Sequence, residues 1–226
     1  MTAHVRIDLV SDIACPWCAI GVATLEQALA ATRDEISVKV HLQPFELNPH
    51  MAPGGEEVIG YLSRKYGISA EQVKVNQQRI YDRAAQVGFP FHPEGRKHVY
   101  NTFDCHRLIQ WANTEHGPDA GLALKKALLS AYFTRADDMD DIQTLLSAVR
   151  EAGLDQNRAQ DVVVNGEYEH DVRAAQARYQ ALGIQGVPAF ILNNQFLVEG
   201  AQPVENLVAA IRQAAERGAI QEREPT

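Results

Sequence analysis

Cys15 and Cys18, separated by Pro16 and Trp17 in "DIACPWCAIG" (12–21), are the residues of this 226-residue chain whose types and spacing point most directly to chemistry. A Cys-x-x-Cys pair suits a redox dithiol, two metal ligands, or two buried small side chains. Redox work needs a thiolate, and a helix N-terminus favours one through its unpaired N–H groups and its dipole. Pro16 suits a first helical turn, where its missing N–H is not needed. That places Cys15 at the exposed N-terminal end of a helix and Cys18 one turn in. Cys15 is then the candidate nucleophile and Cys18 the resolving thiol, within reach to expel a mixed disulfide. Structural zinc needs four ligands. The third cysteine, Cys105, is followed by His106, and adjacent helical residues diverge by about 100°; no metal is expected. Pro16-Trp17 in a turn is also a poor way to bury two inert cysteines. The redox reading leads.

The elements that must position this pair are legible from periodicity. "VRIDLV" (5–10) alternates as a strand, and Pro16 to about Arg33 reads as a helix. "ISVKVHL" (36–42) alternates strictly, giving strand, helix, strand, a parallel βαβ unit. Three prolines and two glycines in 43–55 end regular structure. Helical patterns follow over 56–67, 69–88, 98–117, 118–135, 140–153 and 157–183, with a loop at 89–96. Strands return across 189–200, where Asn193-Asn194 suits a two-residue hairpin turn. An amphipathic helix over 203–218 precedes a frayed tail at 219–226. The expected domains are a discontinuous one, 1–55 and 183–220 with a connecting helix at about 166–182, and a helical insertion at 56–165.

Composition limits the function classes. A net charge of −8 argues against nucleic acid or an anionic membrane as partner. No run approaches the ~20 apolar residues of a membrane span. The N-terminus enters strand-like sequence without a basic segment, long apolar run or cleavage site, which points to the cytoplasm. Thiols are normally kept reduced there. Three cysteines cannot form a disulfide scaffold.

A second signal is "GIQGVPAFIL" (183–192), with Pro188 directly before a strand. Together with the dithiol it carries a family resemblance. The phrases "SDIACPWCAIG", "PFELNP", "NTFDCHRL" and "GVPAFILNNQFLVEGAQP" resemble the FrnE-type proteins of the DsbA-like branch of the thioredoxin superfamily, over about residues 5–215. The resemblance implies an α/β thioredoxin fold with a large all-helical insertion lying as a lid over the dithiol. It implies a cis Val187-Pro188 peptide packed against Cys15 and Cys18, with adjacent backbone pairing an extended substrate. Pro16, Trp17, Val187, Pro188 and Asn101 would be substrate-binding residues. The implied activity is thiol–disulfide oxidoreduction, with isomerisation an extension of it, on protein or small-molecule disulfides. No metal or organic cofactor is implied beyond the redox-active disulfide. Glutathione is a candidate reductant, and the electron donor is otherwise unidentified. The family admits a homodimer, and no stretch here demands one.

Cys105 departs from the family, which more often has a small residue there. It reads as a core cysteine, with a third redox thiol as the functional alternative. His106 reads as a helix-surface residue and the other histidines as surface or loop. Asp12 and Glu46 are candidates to relay the Cys18 proton. Charge-dense runs such as "RADDMDD" read as solvated helix ends. Two rival functions remain. One is a glutathione-dependent isomerase or transferase of the kappa-like branch, whose members typically carry Ser at the Cys15 position. The other is a non-enzymatic, chaperone-like binding module.

Overall fold

A computed structural model describes residues 3–221. Strand β1 (Ala3–Ser11) leads to helix α1 (Pro16–Thr32), and β2 (Ile36–Pro44) lies parallel to β1 with Ile7 opposite Val40 and Leu9 opposite Leu42. After the helical region, β5 (Ala189–Leu192) runs antiparallel to β1, and β6 (Phe196–Glu199) antiparallel to β5. The sheet order is β2-β1-β5-β6. Helix α9 (Val204–Gln221) closes the chain against α1 and β1. The turn between β5 and β6 holds Asn193 and Asn194 at φ of 50° and 56°. Asparagine tolerates that left-handed region better than most residues.

The alternation of "VRIDLV" predicts a strand with one wet face, but burial is continuous from Ile7 to Ser11. Asp8 is buried inside this run because Arg6 and Gln43 satisfy its oxygens at 2.6–2.8 Å. Burial tends to raise its carboxyl, and those hydrogen bonds bring it below the usual range.

Between β2 and β5 lie α2 (Val58–Tyr66), α3 (Ala70–Gln86), α4 (Phe103–His116), α5 (Pro118–Leu129), α6 (Ile142–Glu151), α7 (Gln156–Val164) and α8 (Glu169–Ala181). A two-residue ribbon pairs β3 (Glu56–Glu57) with β4 (His98–Val99). Several boundaries differ from the periodic reading. Residues 56–57 and 98–99 are ribbon, so α4 starts at Phe103. The helix expected over 118–135 ends in a π-helical turn, Ser130–Thr134. The one expected over 157–183 breaks at Gly166 and Tyr168, both with positive φ. β2 extends two residues beyond its alternating core, through Pro44. Helix α9 continues through Gln221, into the expected tail, and 222–226 lie outside the described residues. Helices α4, α5 and α8 pack against β2, and one apolar core joins Leu9 and Val40 of the sheet to Leu108 and Leu128 of the helices. Among the described residues no helix is long and apolar enough to cross a membrane.

Helix α1 approaches the segment before β5 closely because Gly21 has no side chain. A Cβ there would lie 2.9 Å from Pro188 Cγ and 3.3 Å from Phe190 Cζ. In an open helix Gly→Ala is worth roughly 1 kcal/mol of added stability. Here overpacking against a ring and a buried Phe dominates, so Gly21→Ala is expected to lower stability by about 1–3 kcal/mol in urea denaturation. An increase in stability would show that this contact yields freely.

Candidate active site

Cys15 is the N-cap of α1, with extended backbone (φ −92°, ψ 115°), and Pro16 occupies the first turn. Its carbonyl accepts from the N–H groups of Cys18 at 3.0 Å and Ala19 at 3.4 Å, which closes the turn. The side chain is thereby left at the helix entrance. All three cysteines are free thiols. Cys15 is not exposed, as its place at the helix end predicts, but only 4% accessible, and Cys18 is fully buried. Cys15 instead reaches solvent through a cavity of about 540 Å³ roofed by α2 and α3. Pro16, the 40%-exposed Trp17, Tyr61 and Tyr66 contribute to its wall.

The two thiols differ in environment. Hydrogen bonding from the Cys18 thiol is the largest influence on Cys15. Together with the N–H groups of Cys18 and Trp17 it outweighs burial and the Asp12 charge, and holds Cys15 below the ordinary thiol range. Burial, reinforced by Cys15, pushes Cys18 well above that range. The Asp12 N–H points at Cys18 Sγ from 3.5 Å. Cys15 Sγ lies 3.6 Å from the carbonyl oxygen of Val187. The Val187-Pro188 peptide is cis, with Val187 half-buried and Pro188 buried.

Beneath the pair sits Asp12, a fully buried carboxylate. Its Oδ1 accepts from Thr102 Oγ1 at 2.7 Å, Ala14 N at 3.1 Å and His106 Nε2 at 3.3 Å. Its Oδ2 accepts from Leu47 N at 2.7 Å. Burial alone would raise this carboxyl. The His106 contact, with the Leu47 and Thr102 hydrogen bonds, overrides it and keeps Asp12 below the usual carboxylate range. Lys125, also buried, is lowered by burial and raised by the charges of Cys18, Asp12 and both other cysteines.

Other expected site residues lie elsewhere. Asn101 caps the Phe103 N–H at 2.8 Å and lines a second cavity, of about 480 Å³, together with Cys105. Burial drives the Cys105 thiol far above the ordinary range. Glu46 is held by Arg173 at 2.5 Å and Gln176 at 2.9 Å and bonds to neither cysteine. His106, expected on the helix surface, is buried on Asp12. Met139 in "RADDMDD" is buried rather than solvated. Thr102 and His106 stand one turn apart, and Gly121, Lys125 and Leu128 share a helical face. That spacing was the available signal for His106 and Lys125. Among the described residues no three His, Cys, Asp or Glu side chains gather to hold a metal ion.

Comparison with known proteins gives a consistent placement. The family model of the DSBA-like thioredoxin domain matches residues 6–212. The probable DsbA oxidoreductase SCO1869 of Streptomyces coelicolor is 35% identical, with a TM-score of 0.86 over 99% of this chain and 93% of that one. The protein YwbO of Bacillus subtilis (strain 168) is 27% identical over 86% of this chain and 88% of its own length. The cytosolic disulfide reductase DsbM of Pseudomonas aeruginosa, solved with GSH, shares the fold at 17% identity, with a TM-score of 0.62 over 97% of this chain and all of that one. With the family match running from β1 into α9, the chain belongs to the DSBA-like thioredoxin domain family.

Proposed function

We propose that this protein is a thiol–disulfide oxidoreductase in which Cys15 attacks and Cys18 resolves. The observation that carries the reading is the opposite displacement of two adjacent thiols, Cys15 down and Cys18 up, at a helix entrance that opens into a cavity. Membership of a DsbA-like family supports an oxidoreductase or isomerase role.

The chemistry follows from the geometry. The Cys15 thiolate attacks one sulfur of a substrate disulfide, forming a mixed disulfide and releasing one substrate thiolate. Cys18 then attacks Cys15 Sγ, and its proton passes to the departing second substrate thiolate. The products are a Cys15–Cys18 disulfide, one substrate thiol and the first-released substrate thiolate, which takes its proton from solvent; two electrons have moved to the substrate. The reverse sequence oxidises a dithiol substrate. The Val187 carbonyl beside Cys15 is placed to accept from the backbone of an extended ligand. Asp12 fits poorly as a relay for the Cys18 proton, because four donors already engage it and lower its proton affinity. It fits an anchor under the dithiol.

Replacing Cys15 by Ser is expected to reduce disulfide turnover by about a thousandfold or more. Cys18→Ser should accumulate a mixed disulfide through Cys15 that is resolved by mass after alkylation. Cys105→Ala should preserve the two-thiol redox transition in glutathione buffers. Turnover that survives Cys18→Ser would favour the glutathione-dependent isomerase or transferase instead. Tight binding of a cysteine-free unfolded chain, unchanged by Cys15→Ser, would favour the binding module.

Asp12→Asn is expected to cost about 1–3 kcal/mol, because the new amide N–H groups face N–H and O–H donors with nothing to receive them. Since Asp12 is depressed in the folded state, its contribution is present above the ordinary carboxylate range. It is lost as pH falls through its folded value. The stability gap between wild type and Asp12→Asn in chemical denaturation should therefore be flat near neutrality and shrink in acid. A gap that widens in acid would contradict an ionised anchor.

A further inference from the structure

The cavity over Cys15 has a charge at odds with the rest of the molecule. The chain carries a net charge of −8, yet the lining contains Lys65, Arg79 and Arg96 and not one Asp or Glu. None of the three joins an ion pair among the described residues. Arg96 donates to the Ala14 carbonyl at 2.7 Å and lies over the rings of Tyr132 and Phe133. Lys65 donates to Leu47 O at 2.9 Å and Asn48 Oδ1 at 2.6 Å, with Tyr61 and Tyr66 beside it. These partners are all neutral. Three cations with no carboxylate in contact, in a partly water-excluded cleft, project an attractive field for anions that the single buried Asp12 charge beneath the dithiol reduces but does not reverse.

We infer that the cavity selects disulfides bearing carboxylates a few bonds from the sulfur, with Lys65 as the principal specificity residue and Arg79 assisting. The inference rests on the oxidoreductase reading above. A thiolate nucleophile repels an anionic disulfide, and the three cations offset that repulsion. Arg96 is committed to the Ala14 carbonyl, so it sets the background field. Lys65 and Arg79 have no such attachment to the dithiol turn. Much of the remaining wall is apolar, including Trp17, Leu62 and Ile80, and suits the uncharged part of the same ligand, while Asn76 and Gln77 add neutral polar groups. A volume of about 540 Å³ is in the range of small-molecule sites, so the ligand class taken here is a low-molecular-weight disulfide.

The test is single-turnover oxidation of the reduced protein by three small disulfides: 3,3′-dithiodipropionate, 2-hydroxyethyl disulfide and cystamine. Each oxidises the Cys15–Cys18 dithiol and leaves as two thiols, so no further reductant enters. Each rate is normalised to the same disulfide reacting with dithiothreitol, which removes intrinsic reactivity. At low salt the dianion is expected to react about tenfold faster than the neutral probe, and cystamine more slowly still. Salt should erase the spread. Lys65→Gln should cut the dianion preference severalfold while leaving the neutral rate within about twofold, Lys65→Arg should restore it, and Lys65→Glu should favour cystamine. Equal normalised rates, or a preference indifferent to both Lys65→Gln and Arg79→Gln, would overturn charge selection. An equal fall for all three probes in Lys65→Gln would reassign Lys65 to Cys15 itself. A peptide disulfide with acidic flanks outpacing the small dianion would overturn the assignment to a small molecule. If none of the probes closes a Cys15–Cys18 disulfide, the oxidoreductase reading fails first, and separately.

Discussion

The burial of the Asp12 carboxylate is the constraint on which the rest of this site depends. An unpaired ionised carboxylate in an apolar interior is not tolerated, so the chain must bring donors to it. They come from three places far apart in sequence: the turn into α1 through Ala14, the segment after β2 through Leu47, and the start of α4 through Thr102 and His106. Satisfying one charge therefore ties the helical region to the end of β1 directly under Cys18. The dithiol turn is held from below by this network and from the side by Arg96 on the Ala14 carbonyl. A flexible turn could not keep one thiol at a helix entrance while excluding its neighbour from water.

That rigidity is what separates the two thiols. In water both would ionise near the same pH, and the pair would have no built-in direction. Here the helix entrance supplies N–H groups to Cys15, while Cys18 sits one turn deeper and is stabilised in its protonated form. The protonated Cys18 in turn donates to Cys15, so each state supports the other. Nearby Lys125 brings a positive charge to the inner thiol from α5. The separation combines position along one helical turn with the burial of Cys18, which the packing around the anchored turn supplies.

The sheet, α1, the parallel βαβ start and the β5–β6 hairpin were legible in the sequence because each is written locally, in period-2 alternation, a proline at a first turn, or an Asn-Asn pair. So was the location of the dithiol. The helical region was legible in content and less so in detail. The ribbon at 56–57 and 98–99 is two residues long on each side, shorter than any periodic pattern. The break at Gly166–Tyr168 lies inside a run whose composition stays helical. His106 and Lys125 were missed for a different reason. A polar side chain on a helix is normally at the surface, and burial becomes favourable only through a partner that another element supplies. Asp12 was legible as a candidate beside the dithiol, but its role as an anchor was not. Its partners are 90 and 94 residues away for Thr102 and His106, so no local pattern connects them.

Net charge hides the proposed substrate preference for the same reason, because its basis exists only in the folded chain. The charge of the whole molecule is negative, and a sequence-level argument from net charge predicts repulsion of anions. The fold gathers Lys65 from α2, Arg79 from α3 and Arg96 from the loop before β4 around one opening, and places the acidic surplus elsewhere. Two of these cations rest on carbonyl oxygens, a side-chain amide and aromatic faces, partners that hold a cation in place without cancelling its charge. A carboxylate partner would have fixed them as firmly and left the cleft neutral. The choice of neutral partners keeps a positive field over Cys15, where an incoming anion would meet it.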